Sequence, residues 1–291
     1  MNTKKLAHIA SELLLLAILS SCSAGTNLDS VNYQGSEIDQ TSIIGGTDAN
    51  LNYAKQNGIV GIYDQANGGI CTGSLIAANV VLTAAHCVDV QFPDKTIIFF
   101  DLSLSEISKQ VQAGNNSNIR LSTRVARHEL YGSNKQDTNK SSNDIGLILF
   151  EGTAPEGFKL ATVANSTLAR ALRTGAEVTL SGYGLNKFKK NPVTGRPVIS
   201  EGSGILRMVS KIKILSVMPS LEEITLDQSK GKGACHGDSG GPAYLFDKKL
   251  KKNILIGLTS RGTGDCNQIA VYTSVIGYEK WIIENLKQLS N

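Results

Sequence analysis

Short apolar runs separated by turn residues recur along the chain and constrain its fold. Examples are Val80–Leu82, Ile97–Phe100 and Ile254–Ile256, all rich in β-branched or aromatic side chains. Runs of this length suit strands better than helices, and 29 glycines supply turns between them. With 291 residues, 41% of them hydrophobic, the chain can bury a substantial core in one domain or in two small ones. The sequence therefore predicts a mainly β protein.

Charge and motif content exclude several classes of function. The net charge of +4 is small and does not cluster in any nucleic-acid-binding motif, so we expect no nucleic-acid partner. The sequence contains no metal-type spacing of Cys and His, no phosphate-binding Walker loop and no dinucleotide fingerprint. We therefore expect neither a metal nor an organic cofactor.

Three short motifs carry the chemistry, and the most informative is Gly237–Pro242, which reads Gly-Asp-Ser-Gly-Gly-Pro. A serine hydroxyl is a poor nucleophile at neutral pH, so a reactive serine needs a base and a pocket that stabilises an anion. Upstream, Thr83–Cys87 supplies a histidine and Asn143–Ile148 supplies an aspartate. The order His, Asp, Ser is that of one known class of catalytic triad.

These motifs resemble those of the trypsin/chymotrypsin-like serine proteases. Further matches follow in family order from Ile43 to the C-terminal end, at Ile43–Gly46, Gly73–Ile76, His128–Tyr131, Ser181–Gly184, Leu258–Ser260 and Val271–Thr273. The resemblance implies an all-β fold of two antiparallel β-barrels, at about residues 43–164 and 165–291, acting on protein or peptide substrates as a monomer. Within Gly277–Leu289, Trp281, Ile282, Leu286 and Leu289 have helical spacing, which predicts a C-terminal amphipathic helix.

The resemblance also implies a role for each site residue. Ser239 is the expected nucleophile, His86 its general base, and Asp144 the carboxylate that orients the imidazole. Ser260 matches the family serine that hydrogen-bonds this carboxylate. The backbone N–H groups of Gly237 and Ser239 would form the oxyanion hole.

Activation is expected to follow the family's precursor mechanism. The freed ammonium of Ile43 would pair with the carboxylate of Asp238, which would otherwise be a buried charge without a partner. The full chain is then an inactive precursor. Because Ser42 precedes Ile43, a trypsin-like activator has no Arg or Lys to recognise, and the activating protease stays unidentified.

The expected specificity pocket is neutral and small, with Gly233 at its base and Ala234, Gly262 and Ala270 on its walls. A neutral base gives no reason to prefer Lys or Arg, so we expect small or medium apolar residues on the acyl side of the cleaved bond (P1). Arg261 stands where the family usually has Trp, and His236 lies at the rim. These two side chains either favour an acidic substrate residue or extend into solvent.

The N-terminus resembles an export signal. Lys4 and Lys5 precede a short apolar segment, Leu13–Leu19, and Leu19-Ser20-Ser21-Cys22 resembles the lipobox of bacterial lipoproteins. We expect a signal peptide over 1–21, a leader over 22–42 and a protease domain over 43–291. Lipidation of Cys22 would anchor the protein in a bacterial cell envelope, whereas an ordinary signal peptide would lead to secretion.

The five cysteines suggest an exported protein in which one cysteine has a separate role. Without Cys22, four remain, and these can pair in three ways. The family resemblance selects Cys71–Cys87 and Cys235–Cys266, which would brace the loops that carry His86 and Ser239.

Two other functions agree less well with the sequence than a serine endopeptidase does. Esterases of the α/β-hydrolase class place Ser before His in the sequence, within Gly-x-Ser-x-Gly, which is the reverse of the order here. A non-catalytic binding module derived from a protease would normally lack a triad residue, and none is missing from this sequence.

Overall fold

The computed structural model describes residues 43–133, 141–184, 188–190, 197–199, 204–264 and 266–290. The predicted signal peptide, the leader and Cys22 lie outside the described residues. The regular elements of the first half are β1 (Thr47–Asp48), α1 (Leu51–Asn57), β2 (Ile59–Asp64), β3 (Gly69–Ala77), β4 (Val80–Thr83), β5 (Thr96–Phe99), α2 (Leu104–Gln112), β6 (Ile119–Arg127), β7 (Gly146–Phe150) and β8 (Thr162–Val163). Those of the second half are β9 (Glu177–Gly182), β10 (Phe188–Lys190), β11 (Pro197–Ile199), β12 (Arg207–Val217), β13 (Glu223–Asp227), β14 (Pro242–Asp247), β15 (Lys252–Gly262), β16 (Ile269–Ser274) and α3 (Glu279–Ser290).

The first barrel is a closed sheet of six antiparallel strands in the order β2-β3-β4-β7-β6-β5. Along β4, Val80 and Leu82 pack into one buried cluster while Val81 packs into another. Side chains alternate between the faces of a strand, so a strand buried on both faces has a continuous apolar sequence. The short apolar runs of the sequence are therefore strands covered on both sides.

The second barrel joins β9, β12, β13, β16, β15 and β14, and pairing of β9 with both β12 and β14 closes it. Strand β1 adds to the edge at β12, β8 pairs with β15 in parallel, and β10 pairs with β11 in a separate ribbon. The predicted architecture of two antiparallel barrels with a C-terminal helix is confirmed.

Each end of the described chain packs on the barrel formed by the other half. Strand β1 pairs with β12 of the second barrel, whereas α3 packs against the first barrel. Trp281 of α3 stacks on His128 with ring centroids 5.5 Å apart, and Arg124 of β6 donates to the carbonyl of Leu289. These crossings hold the barrels together beside the seam between them. No helix among the described residues has both the length and the apolar character needed to cross a bilayer.

Helices α1 and α2 were not predicted. The side chain of Asn50 caps α1 by accepting from the Tyr53 N–H, and Gly58 ends the helix in the left-handed conformation. Ser103 caps α2 by accepting from the Glu106 N–H at 3.1 Å. Both helices are short, and neither belongs to the sheets that form the barrels.

Candidate active site

The loop that carries Ser239 packs directly against the first barrel. The N–H of Thr72 in β3 donates to the carbonyl of Ser239 at 2.8 Å. At Gly240, where φ is +73°, a Cβ atom would lie 2.0 Å from Oγ1 of Thr83. Only glycine permits this approach. The contact places Ser239 beside the end of β4, from which the chain enters the 3-10 turn that contains His86.

His86 and Asp144 contact each other through two hydrogen bonds. Nδ1 of His86 lies 2.8 Å from Oδ2 of Asp144, and the His86 N–H donates to Oδ1 at 3.1 Å. The hydroxyl of Ser260 donates to Oδ2 at 2.7 Å. Because the carboxylate is 3% exposed and accepts at Nδ1, we assign the Nδ1–H tautomer to neutral His86, which leaves Nε2 free to accept a proton.

A cleft of about 300 Å³ lies next to this pair. It brings the histidine, the serine and most of the predicted pocket residues together, being lined by His86, Ala234, Cys235, His236, Ser239, Thr259, Ser260, Arg261, Gly262, Thr263, Cys266 and Ala270. Gly237 lies next to the cleft, in a turn in which the Asp238 N–H donates to the Cys235 carbonyl at 3.1 Å.

The predicted pocket base, Gly233, lies behind the cleft wall. It forms a β-bridge with Ile44, with N···O distances of 2.7 and 3.0 Å. Its φ is +152°, and a Cβ atom there would lie 2.2 Å from Oε1 of Gln228. The side-chain space at this position is therefore filled by Gln228.

Gln228 is fully buried and braces two walls of the cleft. Its side-chain nitrogen donates to the carbonyls of Ala234 and Cys266 at 3.0 and 3.1 Å, and its oxygen accepts from the Ala234 N–H at 2.6 Å. A neutral amide therefore supports the pocket from behind. Gln228 has no recognisable motif in the sequence, because its partners lie 6 and 38 residues away along the chain.

Arg261 lines the cleft but does not simply extend into solvent. Its guanidinium pairs with the carboxylate of Glu223, with N···O distances of 2.7 and 2.8 Å. The Glu223 side chain is 6% exposed and that of Arg261 is 44% exposed. Neither of the two expected roles of Arg261 included this partner, and Glu223 was missed. His236 is exposed and also lines the cleft.

The ion pair shifts the pKa of both partners in the stabilising direction. Burial alone would raise the pKa of Glu223, but hydrogen bonds from Arg261 and Ser142, together with the positive charge, lower it overall. The hydrogen bond to Glu223 raises the pKa of Arg261. Both groups are therefore charged at neutral pH.

Asp238 is a second buried carboxylate near the cleft. It accepts N–H groups from Ile43 at 3.4 Å, Cys235 at 2.8 Å and Gly184 at 2.9 Å. Burial raises its pKa to about 6, although these hydrogen bonds and the charge of Arg207 act in the opposite direction. In the full chain the nitrogen of Ile43 is an uncharged peptide N–H. The three groups that donate to Asp238 are therefore backbone N–H groups, and none of them is an ammonium.

Both predicted disulfides are present. Cys71–Cys87 closes the segment leading to His86 with a sequence separation of 16, and Cys235–Cys266 joins two sides of the cleft with a separation of 31. Each pair lies near a histidine, His86 or His236. A disulfide sulfur is not a thiolate, so these two clusters are poor metal ligands.

Comparison with known proteins identifies the family. Residues 43–282 match the family profile named Trypsin. The chain is 29% identical to a chymotrypsin of Phaedon cochleariae over 216 residues, covering 73% of this chain and 70% of the relative. It is 28% identical over 233 residues to serine protease SP24D of Anopheles gambiae (77% and 74% covered), and 26% identical over 291 residues to trypsin Blo t 3 of Blomia tropicalis (93% and 96%). With two closed barrels, two disulfides and a His–Asp pair beside a cleft serine, the chain belongs to the trypsin family and is a chymotrypsin-like serine endopeptidase.

Proposed function

We propose that His86, Asp144 and Ser239 form the catalytic triad of this endopeptidase. The observation that carries the proposal is the Asp144 carboxylate, which accepts from the backbone N–H and Nδ1 of His86 and from the Ser260 hydroxyl at 2.7 to 3.1 Å, beside a cleft shared by His86 and Ser239. A buried carboxylate held in this way orients the ring and stabilises the imidazolium.

The reaction follows from these positions. Oγ of Ser239 attacks the substrate carbonyl while Nε2 of His86 takes the hydroxyl proton, and the N–H groups of Gly237 and Ser239 stabilise the oxyanion. His86 then protonates the leaving amine, which departs and leaves an acyl-enzyme. A water molecule, deprotonated by His86, hydrolyses the acyl-enzyme and regenerates Ser239.

Labelling with a serine-directed fluorophosphonate tests the triad. We expect the processed enzyme to be labelled and Ser239→Ala, His86→Ala and Asp144→Asn each to lose nearly all labelling and peptidase activity. Because a triad acts as a unit, a double variant should be scarcely worse than a single one. Ser220→Ala, at an exposed serine, serves as the control. A processed enzyme that is folded but not labelled would indicate a non-catalytic binding module.

We also propose that the chain is made as a precursor and activated by an unidentified protease that cleaves before Ile43, releasing a monomeric domain of residues 43–291. The complete burial of Ile43, with its nitrogen 3.4 Å from Asp238, supports this mechanism. A protein that begins at Ile43 should be active, and acetylation of its N-terminal amine should abolish activity. Equal activity of both forms would contradict the mechanism.

For specificity, we propose cleavage after small or medium apolar residues. Ala234, Gly262 and Ala270 leave the cleft wall uncharged, and Glu223 neutralises the charge of Arg261. Profiling against a mixed peptide library should show an apolar P1 preference over Lys and Arg. A clear Lys or Arg preference would contradict the pocket assignment, and a preference for Asp or Glu would give Arg261 or His236 a specificity role.

The final proposal concerns Cys22 and rests on the N-terminal sequence alone. Lipidation there would anchor the precursor to a bacterial membrane, and cleavage before Ile43 would release the enzyme. Wild type and Cys22→Ser, expressed in a Gram-negative host, should separate between membrane and soluble fractions. Equal soluble partitioning of both precursors would contradict lipidation and leave ordinary secretion.

A further inference from the structure

Glu223 of β13 contacts the segment that leads into Asp144, from the opposite side of the seam. Its Oε1 accepts the backbone N–H of Ser142 at 2.8 Å and the Ser142 hydroxyl at 3.1 Å. The hydroxyl of Ser141 also donates to Oε1 at 3.3 Å. Ser142 precedes Asp144 by two residues. Glu223 of the second barrel therefore hydrogen-bonds the segment of the first barrel that leads into this proposed triad residue.

Arg261 completes this contact. Its two terminal guanidinium nitrogens each donate to one oxygen of Glu223, and one of them also donates to the Ser142 hydroxyl at 2.9 Å. A bidentate arginine–carboxylate pair fixes orientation as well as distance. Ser142 therefore donates hydrogen bonds to Glu223 and accepts one from Arg261.

The contacts form a closed circuit around Asp144. Ser260 donates to the Asp144 carboxylate, and the next residue, Arg261, binds Glu223. Glu223 holds Ser142, and the chain returns from Ser142 to Asp144. The Asp144 carboxylate and the segment that presents it are thus held by consecutive residues of one strand, β15.

A buried carboxylate costs free energy unless it is paired and hydrogen-bonded, and Glu223 is 6% exposed on a strand that needs no charge for its pairing. We expect burial of this carboxylate to contribute to catalysis by fixing the geometry of the site. The bond between His86 and Asp144 must keep the imidazole aligned, and a misplacement of about 1 Å can cost about a hundredfold in rate.

We propose that Glu223, acting with Arg261, is a positioning residue for Asp144 and sets the alignment of His86 without contacting the substrate itself. This inference rests on the triad proposed above. On this proposal, the charge of Arg261 holds Glu223 in place and does not recognise an acidic substrate residue.

The test compares Glu223→Gln and Arg261→Met in the processed enzyme, using one peptide amide substrate. We expect kcat to fall about 10- to 100-fold in each variant, with KM changed less than about threefold. The far-downfield proton resonance expected for the hydrogen bond between His86 and Asp144 should broaden or move. The double variant should be little worse than either single variant, because both remove the same contact.

Glu279→Gln is the matched control. Glu279 also accepts a backbone N–H between two segments, from Ser166 at 2.9 Å, but it lies at the start of α3. The same substitution there should leave kcat and the proton resonance unchanged. If Glu223→Gln does not fold, Arg261→Lys keeps the charge without the bidentate geometry, and its kcat should lie between those of wild type and Arg261→Met.

Each outcome gives a decision. A lower melting temperature with wild-type kcat and an unchanged resonance would overturn the proposal, and so would a loss confined to KM. Failure of the triad proposal itself is distinguishable, because the wild-type enzyme would then show no labelling of Ser239.

Discussion

Glu223 and Asp238 are both buried carboxylates of the second barrel, yet their acidities move in opposite directions. The pKa of Glu223 is lowered, whereas that of Asp238 is raised to about 6. Both accept backbone N–H groups at about 2.8 Å, so hydrogen bonding to the backbone does not separate them. Two differences remain: Asp238 is more deeply buried than Glu223, and Glu223 contacts the guanidinium of Arg261 whereas Asp238 contacts a peptide nitrogen of Ile43.

The comparison shows what a contacting cation adds. Three N–H groups leave the pKa of the fully buried Asp238 raised, whereas the guanidinium of Arg261, together with the hydrogen bonds from Ser142, brings the pKa of Glu223 below its ordinary value. In the full chain, Glu223 already has its cation, the guanidinium of Arg261. Asp238 acquires a cation in contact only if cleavage before Ile43 creates an ammonium there.

Removing the Asp238 carboxylate should have the largest effect. In a processed enzyme, Asp238→Asn should lower kcat/KM by roughly a thousandfold, because the N–H groups of Gly237 and Ser239 lose the ion pair that orients them. Steady-state kinetics on a peptide amide would measure it, with Asp227→Asn, at a partly exposed carboxylate outside the cleft lining, as the control. A loss no greater than that of Glu223→Gln would contradict the distinction between the two carboxylates.

A third carboxylate, introduced by Gly233→Asp, would have neither a cation nor space. Its Cβ would meet Gln228, and the backbone there has a φ of +152°. We expect a loss of about 3–5 kcal/mol in the free energy of unfolding and no gain of Lys or Arg cleavage. Thermal denaturation and substrate profiling check this, with Gly264→Asp as a control at a position with open space. A stable variant that prefers Arg would show that the pocket base does face the cleft.

The precursor and the processed enzyme should differ in how stability depends on pH. The folded pKa of Asp238 is raised, so its contribution is fully present below pH of about 4 and is lost as pH rises through about 6. A shift from 3.8 to about 6 corresponds to about 3 kcal/mol. The Ile43 ammonium should remove this loss in the processed form.

Melting temperatures between pH 4 and 7 would measure that difference, in a Ser239→Ala background that prevents self-cleavage. The processed form should gain several degrees over the precursor as pH rises. Asp238→Asn in the precursor is the control and should flatten its curve. Parallel curves for precursor and processed protein would refute the pairing of Ile43 with Asp238.

Arg261→Met should lower the free energy of unfolding less than Gly233→Asp does. Because the Arg261 side chain is 44% exposed, water can replace part of the pair, and we expect a loss of about 1–2 kcal/mol at pH 7. The folded pKa of Glu223 is lowered, so its contribution is present above the unfolded pKa and is lost as pH falls through the folded one.

The difference in melting temperature between wild type and Arg261→Met should therefore narrow below pH of about 4. Lys280→Met, which breaks an exposed pair with an N···O distance of 3.8 Å, should change stability by less than about 0.5 kcal/mol. A difference for Arg261→Met that persists unchanged at pH 3 would mean that packing, not charge, is responsible.

The sequence predicted the parts of the molecule whose signals are local. Residues within one motif are recognisable together, so the segments around His86 and Ser239 could be identified, and the family resemblance of these motifs implied the two barrels and both disulfide pairings, which the structure contains. The partner of Arg261 could not, because Glu223 lies 38 residues away in a strand that has no motif. Gln228 was missed for the same reason, and only the fold shows that it fills the space beside Gly233.

Helix α2 is a different kind of omission, because its signal is present in the sequence. Ser103-Leu104-Ser105-Glu106 has the spacing of a capping box, and Leu104, Ile107 and Val111 then recur at helical intervals. This signal lies among short apolar runs such as Ile97–Phe100, which favour strands.

Each disulfide links two residues of the same barrel, Cys71–Cys87 in the first and Cys235–Cys266 in the second. Among the described residues, no covalent bond other than the main chain joins the two barrels. The barrel closures depend on strand pairing, which thiol chemistry does not touch. In a reducing environment the segment around His86 and one side of the cleft would gain freedom while the barrels stay folded. We expect dithiothreitol to lower activity before it changes the far-ultraviolet circular dichroism, so that an oxidising compartment is needed for catalysis more than for folding.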